Sequence, residues 1–396
     1  MHSLRAVYAV LAVVFLGVTP SYAQIEELPR PARADTASFG VSVAIDDSLA
    51  AVGASGESGC GVNAGAVYLY KRTAARIHAW RQVARLVPRD CRANMFFGET
   101  VALDEGRVLV GASSEYFAEE ESNAAYVFAR DSTGAWRQTA RLTGETGRPE
   151  GLFAAGLDLD GDRAAVSTSG SLDGAYGGAV YLFERDTASG EWRRQARLTS
   201  PRRVEDGVMG HEVVLDEDHL AVAASTFFRR TPGSVFIFRR DPSTGAWHPA
   251  AHLSDIDAFF IALALDGGTL AVGEDRAGED GGGRVTLYSE QADGTWAETA
   301  ALRPSIPYES GAFGAAVSIQ GNRLLASGYD EQLGKDFNID RVVYAFERAD
   351  GTWRERPIID VGDVAFGAAM DQDDGVALIS SVSATRMGTV YVIRLP

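Results

Sequence analysis

FGVSVAIDDSLAAVGAS, Phe39 to Ser55, and FGETVALDEGRVLVGAS, Phe97 to Ser113, decide the fold. Each opens on Phe-Gly, alternates apolar and polar residues as a half-buried strand does, breaks at an Asp-rich turn and resumes as a second strand ending in Gly-Ala-Ser. The opening recurs at intervals of about 50 to 58 residues: FAAGLDL from Phe153, MGHEVVL from Met209, FFIALAL from Phe259, FGAAVSI from Phe313 and FGAAMDQ from Phe366. A variable segment then leads to a third apolar strand, as in AVYLY ending at Tyr70 or SVFIF ending at Phe238. After a turn such as DSTG or ADGT comes a fourth strand led by tryptophan. All six tryptophans sit there, at Trp80, Trp136, Trp192, Trp247, Trp296 and Trp353, and six positions after each stands Leu86, Leu142, Leu198, Leu253, Leu302 or Ile359.

Four short strands per repeat, with Gly/Asp turns and no helical period, describe an antiparallel blade. A single such sheet cannot bury its faces, so seven of them are expected to stack around an axis as a β-propeller. Seven copies exist of the first three strands but only six of the Trp-led fourth. The missing one is assigned to residues 24–31, because Leu28 precedes Phe39 by the same 11 residues that separate Leu86 from Phe97. Pairing of this segment with residues 388–394 would close the ring and remove two sheet edges.

The Phe39-Gly40 and Val52-Gly53-Ala54-Ser55 pair, its copy Phe97-Gly98 with Val110-Gly111-Ala112-Ser113, and weaker copies later resemble the FG-GAP repeat family, found in the propellers of integrin α chains and in exported bacterial proteins. The last Pro of that motif is Ser here, and repeats 3, 4 and 5 lose one or more of its glycines. The resemblance implies the seven-bladed propeller but no function, since one fold hosts many.

Composition bounds the rest. The chain has 396 residues, 46% of them hydrophobic, and carries 37 Lys+Arg against 54 Asp+Glu, a net charge of −17. That charge opposes nucleic acid and anionic lipid as partners. MHSLR, the apolar run Ala6 to Val18 and TPSYA read as a secretory signal peptide over residues 1–23, cut after Ala23, leaving residues 24–396 as the propeller. No second long apolar run follows, so membrane insertion is not expected. The product should be secreted, periplasmic or associated with the cell surface, and monomeric. Cys60 and Cys91, in two connections on the same face of the ring, are expected to form a disulfide in that oxidising setting.

Motifs for chemistry are sparse. The acids of the first turns, among them Asp158 to Asp162 (DLDGD) and Asp371 to Gly375 (DQDDG), invite a calcium reading because integrin-type repeats carry a cation loop there. The hairpins are too tight for such a cage, and Asp and Gly are ordinary turn residues, so no cofactor is assigned and calcium is disfavoured. There is no G-x-S-x-G elbow, H-E-x-x-H or phosphate-binding glycine loop. His211, His219, His248 and His252 of repeat 4 read as surface residues, and the tryptophans as packing between blades rather than a sugar platform.

Binding is therefore assigned to the face carrying the strand 2–3 loops and the strand 4–1 connections, here called the top. Its aromatics Tyr116, Phe117, Tyr176, Phe227, Phe228, Tyr308, Tyr329 and Phe337, amid acids such as Glu57, Glu119 and Glu274, suit an extracellular protein or polysaccharide. The preferred expectation is a non-catalytic binding or scaffold protein. The alternative is a glycan-active lyase or hydrolase using acids near the channel mouth, which a polar cluster on the axis would favour.

Overall fold

The computed structural model describes residues 25–32, 37–73, 80–113, 123–145, 152–169, 177–201, 208–225, 232–259, 261–278, 281–305, 311–330, 340–363, 365–383 and 386–395. The expected leader lies outside them. Strand β1 (Ile25–Glu27) comes first. Blade 1 is β2 (Phe39–Asp46), β3 (Leu49–Ala54), β4 (Ala66–Arg72) and β5 (Trp80–Leu86), and blade 2 is β6 (Phe97–Asp104), β7 (Arg107–Ala112), β8 (Ala124–Arg130) and β9 (Trp136–Leu142). Blade 3 is β10 (Leu152–Asp160), β11 (Arg163–Ser169), β12 (Ala179–Arg185) and β13 (Trp192–Thr199); blade 4 is β14 (Val208–Asp216), β15 (His219–Ser225), β16 (Gly233–Arg240) and β17 (Trp247–Ile256). Blade 5 is β18 (Ile261–Asp266), β19 (Thr269–Glu274), β20 (Arg284–Glu290) and β21 (Trp296–Leu302); blade 6 is β22 (Val317–Gln320), β23 (Arg323–Asp330), β24 (Asp340–Ala349) and β25 (Thr352–Ile359). β26 (Phe366–Asp373), β27 (Val376–Ser383) and β28 (Arg386–Arg394) begin blade 7.

Each blade is a four-stranded antiparallel meander, and the seventh has the order β1-β28-β27-β26. Strand β1 is thus the outer strand of the last blade. Ile25 pairs with Ile393 and Glu27 with Tyr391, and the Leu28 N–H donates to Val390 O at 2.8 Å.

Seven apolar clusters fill the seven seams between blades, and one irregularity in strand 4 explains how. A bulge falls between Leu69 and Tyr70 in the pairing of β4 with β5, and its counterparts recur in blades 2 to 6. One extra residue flips every side chain beyond it to the other face of the sheet. Trp80 consequently packs into the seam between blades 7 and 1 with Leu28 and Tyr70, while Leu86 packs into the seam between blades 1 and 2 with Phe97. The same division separates Trp136 from Leu142 and Trp353 from Ile359. The tryptophans are packing residues.

The Phe-Gly and Gly-Ala motifs meet across the seams. A Cβ on Gly53 would stand 2.0 Å from the carbonyl oxygen of Gly98, and Gly98 itself has φ +91°, so both glycines are required where one blade's second strand touches the next blade's entry turn. The phenylalanine then lies edge-on to a third-strand ring, as Phe39 to Tyr68 at 6.0 Å and Phe313 to Tyr344 at 5.3 Å. Repeat 3 keeps the left-handed turn without the glycine, with Ala154 at φ 64°.

Blade 5 departs from the sequence expectation. Its first strand starts at Ile261, without the bulge that precedes Val43 or Val101, and Ile261 is buried while Phe259 is 39% exposed. With Phe260 where the turn glycine stands elsewhere, the isoleucine fills the seam instead of the phenylalanine.

Candidate functional site

Two regions gather polar groups beyond the needs of the ring: the top face and the inner strands around the central channel.

On top of blade 1 the β3–β4 loop is fixed at both ends. The Cys60–Cys91 disulfide, with Cα atoms 6.2 Å apart, ties it to the connection leading into blade 2. At its base Glu57 is fully buried, accepts the Tyr68 hydroxyl at 2.6 Å and pairs with the Arg85 guanidinium, whose Nε lies 3.1 Å from both carboxylate oxygens. Burial and the Glu57 charge push the Tyr68 phenol far up, so it stays a donor. The next connection repeats the device, with Asp90 accepting Tyr126 OH at 3.0 Å and pairing with Arg141 at 3.3 Å. Burial pushes the Tyr126 phenol up to about 12.

Blade 5 builds a similar base from different residues. Glu274, also fully buried, accepts Arg284 Nε at 2.8 Å and Thr286 Oγ1 at 2.7 Å. Above it the Arg276 guanidinium lies 4.6 Å from the Phe259 ring centre, and the Phe259 N–H donates to Asp275 at 2.8 Å. Glu57 and Glu274 are therefore internal clamps, which corrects their reading as exposed loop acids: a carboxylate so buried is stable only when paired and hydrogen-bonded. Exposed apolar groups remain above the clamps, Val62 at 65% and Phe259 at 39%.

Of the expected binding aromatics, Tyr116, Phe117, Tyr176, Phe227, Phe228, Tyr308 and Phe337 lie outside the described residues. Tyr329 belongs to a strand rather than a loop, since its backbone pairs with Arg341 in a longer β23–β24 ladder.

Carboxyls also gather on the inner strands. At the foot of the first strands, each acid reaches the next blade's turn: Asp266 accepts from Gly321 N at 2.6 Å, Asp373 from Asp47 N at 2.6 Å and Asp46 from Gly106 N at 3.3 Å. These turn acids link neighbouring blades. Two residues further in, Asp158 and Asp371 occupy the same strand position in blades 3 and 7, so DLDGD and DQDDG begin inside strands rather than in turns. Asp158 accepts Leu215 N of blade 4 at 2.7 Å and Asp371 accepts Ile45 N of blade 1 at 2.8 Å.

Burial pushes both carboxyls up to about 7, and Asp371 adds to the effect on Asp158. Glu212 on β14 is pushed up to about 8 by burial and by Asp158. Neighbouring His211 is pushed down to about 4 by burial, hence neutral at pH 7. Sequence reading missed Glu212, which no motif marks. The histidines of repeat 4 are not one surface group: His219 meets Glu290 at 3.0 Å, His252 stacks on Phe236 at 4.8 Å, and only His248 is exposed.

The FG-GAP repeat family matches residues 32–70 and 80–128, the first two repeats. The fold is a seven-bladed β-propeller whose first two repeats match that family. A candidate 6-phosphogluconolactonase from Bacteroides uniformis is similar over 81% of this chain and 85% of its own, at 14% identity and a TM-score of 0.54. The acylaminoacyl peptidase of Pyrococcus horikoshii is similar over 90% of this chain and 51% of its own, at 11% identity and a TM-score of 0.51. At those identities the likeness concerns the fold alone. A search of curated proteins finds no match to this chain. Among its described residues no helix is long and apolar enough to cross a membrane, and its disulfide is compatible with an extracellular or periplasmic setting.

Proposed function

We propose that this FG-GAP-type propeller is an exported, non-catalytic binding or scaffold protein that presents its top-face loops to an extracellular protein or polysaccharide. It acts as a monomer without cofactor, nucleic acid or membrane insertion. The observation that carries this reading is the pinning of the loop bases. The disulfide and the buried Glu57 and Glu274 clamps fix where the top-face connections of blades 1 and 5 start and end, while Val62 and Phe259 stand exposed above them. Loops held this way lose little conformational freedom on binding, so more of the contact energy appears as affinity.

The test is capture of partners from the producer's own envelope and culture fluid, repeated with Phe227→Ala/Phe228→Ala and with Phe117→Ala. Binding should weaken on losing an aromatic anchor, by about 2 kcal/mol or more for a central one, with the melting temperature unchanged. Unaltered binding in all variants would exclude these loops.

A second reading, a glycan-active lyase or hydrolase, rests on the channel carboxyls, because Asp158 and Glu212 titrate near neutrality as general acids and bases do. Release of reducing or unsaturated ends from polysaccharides, abolished by Glu212→Gln, would establish it in place of the first.

A further inference from the structure

The ring does not need a carboxyl where Asp158 and Asp371 stand: the same strand position holds Ala44, Ala102, Val214, Ala264 and Ser318 in the other blades. Each Asp places a carboxyl at the inner edge of a seam, the first between blades 3 and 4 and the second between blades 7 and 1, where the chain closes on itself. Glu212 follows on the first strand of blade 4. None of the three has a Lys or Arg ion-pair partner among the described residues.

The surroundings add negative charge. Asp160 on its own strand and Asp371 of blade 7 act on Asp158, and Asp104 on β6 and Asp216 on β14 act in turn on Asp160. Asp371 faces Asp373 on its own strand and Asp46 on β2. Glu212 feels the charge of Asp158 across the 3/4 seam and follows the neutral His211 in sequence. The nearby arginines are engaged lower down, Arg163 with Asp160 and Asp218 and Arg107 with Glu105 and Asp162.

We propose that the inner strands form a proton-linked latch, in which protonation of Asp158, Glu212 and Asp371 relieves their mutual repulsion and tightens the 3/4 and 7/1 seams in mildly acidic surroundings. All three are raised by burial, so the folded chain holds protons that the unfolded chain has released. Stability therefore falls as pH rises from the ordinary carboxyl range through about 7 for the aspartates and about 8 for Glu212. His211 works in the opposite sense, but only where unfolded histidine gains its proton, below about pH 6.5.

The experiment is thermal unfolding of the full chain at about pH 6 and about pH 8.5 at equal ionic strength. The wild type should melt about 3 °C lower, or more, at the higher pH. Glu212→Gln, which among the described residues has no hydrogen bond to lose, should melt higher than wild type at the higher pH and shrink the difference; Asp371→Asn should shrink it as well. Surface Glu191→Gln should leave it unchanged. Equal or higher melting of the wild type at the alkaline pH would overturn the latch. So would a difference that both channel variants retain in full, or one that Glu191→Gln removes equally.

Discussion

Leu28→Ala tests ring closure at its most exposed point of dependence. Among the described residues β1 has three in register with β28, so these main-chain bonds alone hold it weakly. Leu28, next in sequence, is 2% exposed and packs with Tyr70, Trp80, Leu378 and Val390 in the seam between blades 7 and 1. The residues after it are tied down too: Tyr70 donates to Pro29 O at 2.8 Å and Arg30 to Thr389 Oγ1 at 2.8 Å. Anchored on both sides, the site cannot collapse fully around a missing isobutyl group. The loss should therefore reach about 3 kcal/mol, within the range for buried Leu→Ala changes. Ile25→Ala is the matched control, because Ile25 pairs with Ile393 yet is 38% exposed, and its loss should stay near or below about 0.5 kcal/mol. Urea unfolding of the full chain, followed by tryptophan fluorescence, reads both through the midpoint, and Trp80 in the same seam reports closure locally. Equal losses for the two variants, or a Leu28→Ala loss below about 1 kcal/mol, would refute closure by side-chain packing.

Three further outcomes are expected. Cys60→Ser/Cys91→Ser should lower stability by about 2–4 kcal/mol and raise hydrogen exchange in residues 56–65 before any strand; an unchanged midpoint would show that Glu57 alone fixes the loop. Glu57→Ala should cost about 3–5 kcal/mol, because it leaves Arg85 and the buried Tyr68 hydroxyl without their acceptor, and Arg85→Met in the same background should restore part of that loss. Chelator treatment should leave the melting temperature unchanged, since the first hairpins turn in two residues between Asp46 and Leu49 or Asp104 and Arg107; a fall of several degrees would reveal a structural cation.

The architecture is legible in the sequence because every seam imposes the same demand on the same positions. Phe39, Phe97, Phe313 and Phe366 are all buried, and the Leu28 offset locates the closing strand because an outer strand must deliver its aliphatic to the seam at a fixed distance from the next entry turn. The strand 4 bulge is not legible: nothing in a period-2 pattern distinguishes six residues in one face from six residues that cross between faces. Blade 5 misleads for a related reason, as Phe259 matches the motif by letter while the neighbouring Phe260 removes the glycine that would turn it inward. Glu57 and Glu274 mislead in the opposite direction. Acids in loops are usually solvated, and it is Arg85 and Arg284, with the Tyr68 and Thr286 hydroxyls, that make their burial tolerable.

Repetition also marks what the fold does not require. At the strand position of Asp158 and Asp371, five blades use Ala, Val or Ser and close their seams, so a carboxyl there is unnecessary for packing and carries the cost of desolvation. The acids one turn lower, from Asp46 to Asp373, differ in that they recur in six blades and serve backbone N–H groups of the next turn, a structural task shared around the ring. Departures from sevenfold regularity thus separate two kinds of polar residue that composition pools together. The repeated acids hold the blades in register, whereas the unrepeated Asp158, Glu212 and Asp371 make the inner strands sensitive to protons. That sensitivity is local to two seams, one of them the join between the chain's two ends.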